Sequence, residues 1–324
     1  MAPLTAPILT IAIPTYNRSA FLKRSLQYLY EQKNDLANVE LIISDNASAD
    51  NTSEVVAGFQ SLGLNIRYIR NPENKGADLN IAQCYTSATG KYVLTLGDDD
   101  FFVANSIGKI IKLLLTGDYG VIYINSNNAI ERANTGTADA SYTVYNSPLD
   151  FIKKVNYYVT FISGNIVNRA NLDEENLLKY VGSNVVQVAY ILDSVFKSKA
   201  NLYINDVLLI AEPDNSGGYN LFKIFGDNFN HLIGGLRRSA AEVAAVKKII
   251  NNNLLARFFP MYILKLKLDK KHAFVDANPL TILKPLYENY IKFWLFSYPI
   301  YILPNKLAIL YSYFIKVCIK LKLA

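Results

Sequence analysis

At 324 residues the chain is long enough for one large domain, or for an α/β domain with a smaller appendage. With 51% hydrophobic and 19% charged residues it is a folding sequence and not a disordered one. Its two cysteines, Cys84 and Cys318, exclude a disulfide framework and suit a reducing compartment. No basic leader precedes an apolar stretch at the N-terminus, so no signal peptide is expected. The formal charge of +6 is uneven: residues 1–246 hold 20 Lys/Arg against 24 Asp/Glu, a net of −4, and residues 247–324 hold 13 against 3, a net of +10.

In chain order, LTIAI at 9–13 reads as a buried strand, and Leu22, Leu26 and Leu29 mark a helix after Ser19. LIIS at 41–44 is a second strand. Val55, Phe59 and Leu62 mark a helix ending near Gly63, and IRYI at 66–69 a third strand. A helix through Ile81, Ala82 and Tyr85 stops at Gly90, and YVLTL at 92–96 follows as a strand. Ile107, Ile110, Ile111 and Leu114 form the next helix, and VIYI at 121–124 the next strand. Strands alternating with helices predict a mostly parallel α/β sheet covered on both faces. Ligands of such sheets lie beyond the carboxyl ends of the strands. The polar clusters 14–18 (PTYNR), 44–48 (SDNAS) and Asp98-Asp99-Asp100 all fall there.

Three consecutive aspartates repel one another unless a cation or hydrogen-bond donors intervene. Mg²⁺ typically takes only one or two carboxylates and completes its shell with water and substrate phosphates. The run therefore suits a metal-bridged nucleotide diphosphate; taken alone it is also an ordinary acidic helix start. Asp45 can accept from N3–H of uracil or thymine, or from the exocyclic amine of cytosine. Tyr16 can stack on the base, with Pro14 and Thr15 offering backbone groups. Asn46 and Ser48 read equally well as a turn and helix cap before Thr52. His231 and His272 lack ligand-like spacing, and Arg237-Arg238 reads as a solvated helix face.

The segments IAIPTYNR (11–18), LIISDNASADNT (41–52), NPENKGADLN (71–80) and YVLTLGDDD (92–100) together resemble the inverting family 2 glycosyltransferases of the GT-A fold. FISGNIVNR (161–169) and LLIAEPDNSGGY (208–219) are similar, more narrowly, to abequosyltransferase-type enzymes of bacterial O-antigen assembly. The resemblance implies a GT-A domain over 1–220, a helical region over 221–324, and transfer from a UDP, CDP or dTDP sugar to a glycan or polyprenyl-pyrophosphate-linked acceptor. It implies Pro14, Thr15, Tyr16, Arg18, Asp45, Asp78, Asn80 and Asp98 as donor-binding residues. Asp99 would ligate Mn²⁺ or Mg²⁺, with Asp100 as the runner-up metal ligand.

Two departures from the family pattern stand out. Gly97 replaces the aspartate that many relatives carry there, which leaves open which two of Asp98, Asp99 and Asp100 act. The Glu-Asp pair that usually supplies the base is missing from GSNVVQVAYIL at 182–192. Asp214 is the replacement expected to serve as base, with Asp193 and Glu212 behind it, although residues 214–217 (DNSG) also form an ordinary turn sequence.

Over 305–324 a helix gathers Leu307, Leu310, Phe314, Val317 and Leu321 on one face, with Lys306, Lys316 and Lys320 on the neighbouring face. IKFWLFSYPIYIL at 291–303 adds Trp294 and further aromatics. Neither stretch has the roughly 20 uninterrupted apolar residues of a membrane span. Both suit an interface with anionic lipid, which predicts a cytoplasmic enzyme held peripherally on the inner face of the bacterial membrane; nucleic acid is not an expected partner. The alternative is a helical cap with solvated lysines. A nucleotidyltransferase or a dinucleotide-binding oxidoreductase would carry a Gly-rich turn after the first strand, and IPTYNRSAF has no glycine. A degenerate, non-transferring sugar-nucleotide binder is the remaining rival.

Overall fold

A computed structural model of the protein describes residues 6–127, 139–212, 220–268 and 278–321. They belong to two compact units, Met1–Phe151 with Tyr158–Asn215, and Ile152–Tyr157 with Ser216–Ala324.

In the first unit the alternation read from the sequence is realised. β1 (Leu9–Thr15), α1 (Ser19–Glu31), β2 (Val39–Asp45), α2 (Thr52–Ser61), β3 (Ile66–Arg70), α3 (Ala77–Ser87) and β4 (Tyr92–Thr95) follow one another. A two-residue β5 (Phe101–Phe102), α4 (Ser106–Leu114) and β6 (Val121–Asn127) come next. The later part adds β7 (Tyr142–Tyr145), the start of α5 (Pro148–Val155), β8 (Asn165–Asn168), α6 (Glu174–Leu178), α7 (Gln187–Lys197) and β9 (Asn201–Ile210).

Among the described residues, nine strands join one sheet in the order β3-β2-β1-β4-β8-β6-β9-β5, with β7 on β9. The β3-β2-β1-β4 half is parallel throughout, as is β6 with β9. β8 runs antiparallel between β4 and β6 and so stitches the two parallel groups together. β5 and β7 pair antiparallel with β9.

The buried stripe of α1 is Leu22, Leu26 and Leu29, as its spacing predicts. α2 instead buries Thr52, Val56 and Phe59, while Leu62 is 54% exposed. Leu62 falls after the helix has ended, beside Gly63 at φ +96°, so the periodicity had run one residue too far. α7 is buried from Gln187 to Val195, the pattern of a helix enclosed on all sides. Gly90 is required by close approach, because a Cβ there would lie 2.7 Å from the Thr10 backbone nitrogen.

The second unit is helical: α8 (Phe229–Gly234), α9 (Ala240–Asn253), α10 (Phe259–Leu268), α11 (Pro279–Tyr287), α12 (Tyr298–Ile302) and α13 (Asn305–Lys320). Ser239 and Glu242 form a capping box at the start of α9. A π turn, Leu254–Phe258, carries α9 into α10, and Phe222, Phe258, Phe259 and Tyr287 form an aromatic core around it. Lys267 donates to the carbonyls of Ile300 and Tyr301 at 3.1 and 2.8 Å, closing the end of α12. Among the described residues, no helix is long and apolar enough to cross a membrane.

Candidate active site

Parallel pairing of β1 with both β2 and β4 brings the three polar clusters to one edge. Thr15 lies opposite Asp45 in the β1–β2 register, and Leu96 bonds to Ala12 as β4 runs out into the aspartates. Thr15 is a strut between these strands and less an open donor contact. Its hydroxyl donates to Asp98 Oδ2 at 2.8 Å, and its carbonyl accepts from Asn46 N–H at 3.0 Å. Pro14 is half-buried beside Ser44, and Tyr16 presents its ring with 43% exposure.

The aspartate turn is largely enclosed, with Asp98, Asp99 and Asp100 between 5% and 9% exposed. Arg18 supplies the counter-charge, its Nε 3.3 Å from Asp98 Oδ1 and its Nη2 2.5 Å from Asp99 Oδ2. Arg24 donates to the Asp99 carbonyl at 3.0 Å, pairs with Glu212 and lies 5.0 Å over the Phe101 ring. Ser163 accepts from Gly97 N–H at 2.8 Å and donates to Asp100 Oδ2, while Asp100 Oδ1 accepts from Glu212 N–H at 3.1 Å. Burial lifts the Asp98 carboxyl to about 6, against the pull of Arg18. It lifts Asp100 to about 7, against the hydroxyl of Ser163.

Gly97 lets this turn close. A Cβ there would stand 3.0 Å from Asp100 Oδ2, 3.2 Å from Asp99 Oδ1 and 3.3 Å from Ser163 Oγ. The position that departs from the family's aspartate is thus the space into which two neighbouring carboxylates and a hydroxyl converge. Among the described residues no three His, Cys, Asp or Glu side chains form a ready metal cage. The convergence of Asp99 and Asp100 does fit a hard cation that takes one or two carboxylates and shares the rest of its shell with phosphate and water.

Asp45 is enclosed at the end of β2. It is 0% exposed; Oδ1 accepts from Ser48 N–H at 2.8 Å and Oδ2 from the Tyr68 hydroxyl at 2.5 Å, with Arg70 Nε 3.5 Å away. An ionised carboxylate has about four acceptor positions; hydrogen bonds take two of them, and Arg70 adds an ion pair. The loops after β1 and β2 are laced to each other as well. Asn17 N–H donates to Ser48 Oγ, Ala49 N–H to Asn17 Oδ1, and Ser19 N–H to Asp50. Asn46 bonds to Asn74, Lys75 and Gly76, so it organises the loop before α3; the N-cap position of α2 belongs to Asn51.

Asp78 and Asn80 are both buried, and each is tied to a neighbouring segment. Asn80 exchanges hydrogen bonds with the Ser44 hydroxyl and carbonyl at 2.6 and 2.9 Å. Asp78 Oδ2 accepts from Gly182 N–H at 2.7 Å and Asn184 N–H at 2.9 Å, holding the loop that precedes α7. Burial raises the Asp78 carboxyl, with the loop N–H groups opposing. Asp78→Ala is therefore expected to cost about 1–3 kcal/mol of stability while nucleotide affinity stays near wild type. Unfolding and titration measurements check this: unchanged stability with lost affinity would assign Asp78 to the donor site instead.

Of the base candidates, Asp193 is buried and accepts from Asn176 at 2.8 Å, and Glu212 is taken by Arg24. Both are poorly placed to receive a proton from an acceptor. Asp214 and His272 lie outside the described residues. Arg24, Tyr68 and Ser163 were not foreseen. The motif FISGN held the only sequence trace of Ser163, and nothing in the sequence joins Arg24 to Glu212.

Comparison with known proteins gives this edge its context. The structure overlays the crystal structure of S. aureus TarS residues 1–349 with a TM-score of 0.58 at 15% identity, covering 81% of this chain and 75% of that one. The fold is that of the GT-A glycosyltransferases, with an added helical region. The family described as Glycosyl transferase family 2 matches residues 10–174, half of the sequence, and the chain belongs to that family and is a glycosyltransferase. It is 28% identical over 282 residues to the abequosyltransferase RfbV of Salmonella typhimurium, covering 80% of each chain. It is also 30% identical over 127 residues to the GalNAc(5)-diNAcBac-PP-undecaprenol beta-1,3-glucosyltransferase of Campylobacter jejuni, covering 39% of this chain and 40% of that relative.

Proposed function

We propose that the enzyme transfers a sugar, with inversion, from a nucleotide-diphosphate donor at the β1/β2/β4 edge to a lipid-linked saccharide of a bacterial surface polysaccharide. The observation that carries this reading is the convergence of Thr15, Arg18 and the aspartate turn at the carboxyl ends of parallel strands. Similarity to the Campylobacter enzyme, whose name specifies an undecaprenyl-diphosphate acceptor, supports the acceptor class. Mn²⁺ or Mg²⁺ held by Asp99 and Asp100 would neutralise charge on the departing diphosphate. Arg18, already against Asp98 and Asp99, adds a fixed positive charge beside the same group.

Asp214 acts as base in this reading, two residues beyond Glu212, whose N–H is bonded to Asp100. The acceptor hydroxyl gives its proton to the carboxylate as its oxygen bonds to the anomeric carbon. The bond from that carbon to the diphosphate oxygen breaks, and the nucleoside diphosphate leaves with the electron pair. Tyr16 stacks on the nucleobase, whose N–H takes the acceptor position on Asp45 that the Tyr68 hydroxyl holds in this structure.

This arrangement separates two substitutions. Asp45→Ala should weaken nucleotide binding by about 1.5–3 kcal/mol, the scale of a hydrogen bond to a charged group. Tyr68→Phe should retain affinity, because the base replaces the lost donor. Calorimetric titration with nucleoside diphosphates decides between the roles. If Tyr68→Phe loses as much as Asp45→Ala, the pair is a structural strut and the carboxylate does not read the base.

A further inference from the structure

α13 divides its surface into three sectors. Ala308, Ser312, Ile315 and Cys318 are buried and pack it into the helical unit. Leu307, Leu310, Phe314, Val317 and Leu321 lie together on a second sector and are 50% to 67% exposed. Lys306, Lys316 and Lys320 occupy the third sector, all exposed. The sector with the largest apolar side chains is therefore the one left in water, while small and medium ones make the packing contacts. A folded monomer rarely leaves such a contiguous apolar stripe exposed unless it has an occupant. Nearby, the Tyr311 hydroxyl bonds to the Leu295 carbonyl at 2.7 Å; Ile291, Trp294 and Leu295 are themselves 76%, 42% and 51% exposed.

We propose that this face of α13 is a docking surface for anionic phospholipid, on which the helix lies in the plane of the headgroups. Charge complementarity selects the occupant. No acidic residue occurs in 305–324, and the region 247–324 carries a net of +10. Lysines beside the apolar stripe keep their ammonium groups at the headgroups while their stems lie along the apolar surface. Trp294, with its indole N–H bonded to the Glu288 carbonyl at 2.8 Å, is the residue type that settles at a membrane–water boundary. A helix of 16 residues lying flat needs no span and none is present among the described residues. The inference deepens the reading of a lipid-linked acceptor and rests on it for its purpose, since docking would hold the enzyme on the surface that carries that substrate.

The test uses the full chain, without donor or acceptor, co-sedimented with vesicles of phosphatidylglycerol and phosphatidylcholine or of phosphatidylcholine alone. Enrichment is expected on the anionic vesicles. Leu310→Glu with Phe314→Glu, and separately Lys316→Glu with Lys320→Glu, should each lower partitioning at least about tenfold. About 0.5 M salt should weaken wild-type attachment only in part, because it screens the lysines and not the apolar stripe. All substituted positions are exposed, so melting temperature and nucleotide binding should hold in both variants. Absence of enrichment on anionic vesicles overturns the proposal, as does enrichment that survives Leu310→Glu with Phe314→Glu. A wild-type dimer that this same pair turns into a monomer, with no vesicle binding, assigns the face to a second copy and also overturns it. Because vesicle binding and nucleotide binding are measured separately, failure of either leaves the other standing.

Discussion

Asp99→Ala is expected to abolish the metal-dependent part of donor binding and to lower turnover by at least about a hundredfold, the scale of losing one preorganised charge-stabilising group. Its Oδ1 is among the atoms that converge at Gly97, and its Oδ2 meets Arg18. Removing the carboxylate leaves Arg18 with Asp98 and leaves Asp100 on Ser163 and Glu212, so the turn keeps its internal bonds. Stability should change little, and nucleotide binding without metal should persist. Titration with nucleoside diphosphate, with and without Mn²⁺, makes the comparison. An unchanged Mn²⁺-dependent increment would remove Asp99 from the metal site and leave Asp100 as the next residue to test.

Asp214→Asn is expected to lower turnover by about 10²–10⁴-fold, the usual contribution of a positioned base, with donor affinity near wild type. The split follows because a base matters only as the acceptor proton is transferred. Asp193 and Glu212 are poor substitutes, one buried against Asn176 and the other paired with Arg24. Steady-state turnover and donor affinity, measured on the same preparation, check the split. Near-normal turnover would show that the base lies elsewhere.

The edge at which the polar clusters meet was legible because it depends on local order. Alternating apolar strands and helices in residues 9–124 fix parallel pairing, and parallel pairing fixes which ends of β1, β2 and β4 meet. The direction of β8 was not legible, since four buried residues in a row give burial without orientation. The packing partners of Asp78 and Asn80 were not legible for a similar reason. Polar residues at a helix start look like ligand contacts, and only tertiary packing shows that they tie down Ser44 and the loop at Gly182. Arg24 and Glu212 are 188 residues apart, so their pairing waits on β5 joining β9. α13 shows the opposite case. Its apolar stripe and its lysines were both visible at helical spacing, and the structure added that the stripe faces outward.

The central claim, that a nucleotide-diphosphate sugar binds at this edge, is tested most directly by the melting of the full chain with UDP-, CDP-, GDP- and dTDP-sugars, with and without Mn²⁺. One base class should stabilise the native state by about 2.7 kcal/mol at a concentration a hundred times Kd, with the Mn²⁺-dependent part absent in Asp99→Ala. If no nucleotide sugar raises the melting temperature at any metal concentration, the account of the donor site is contradicted.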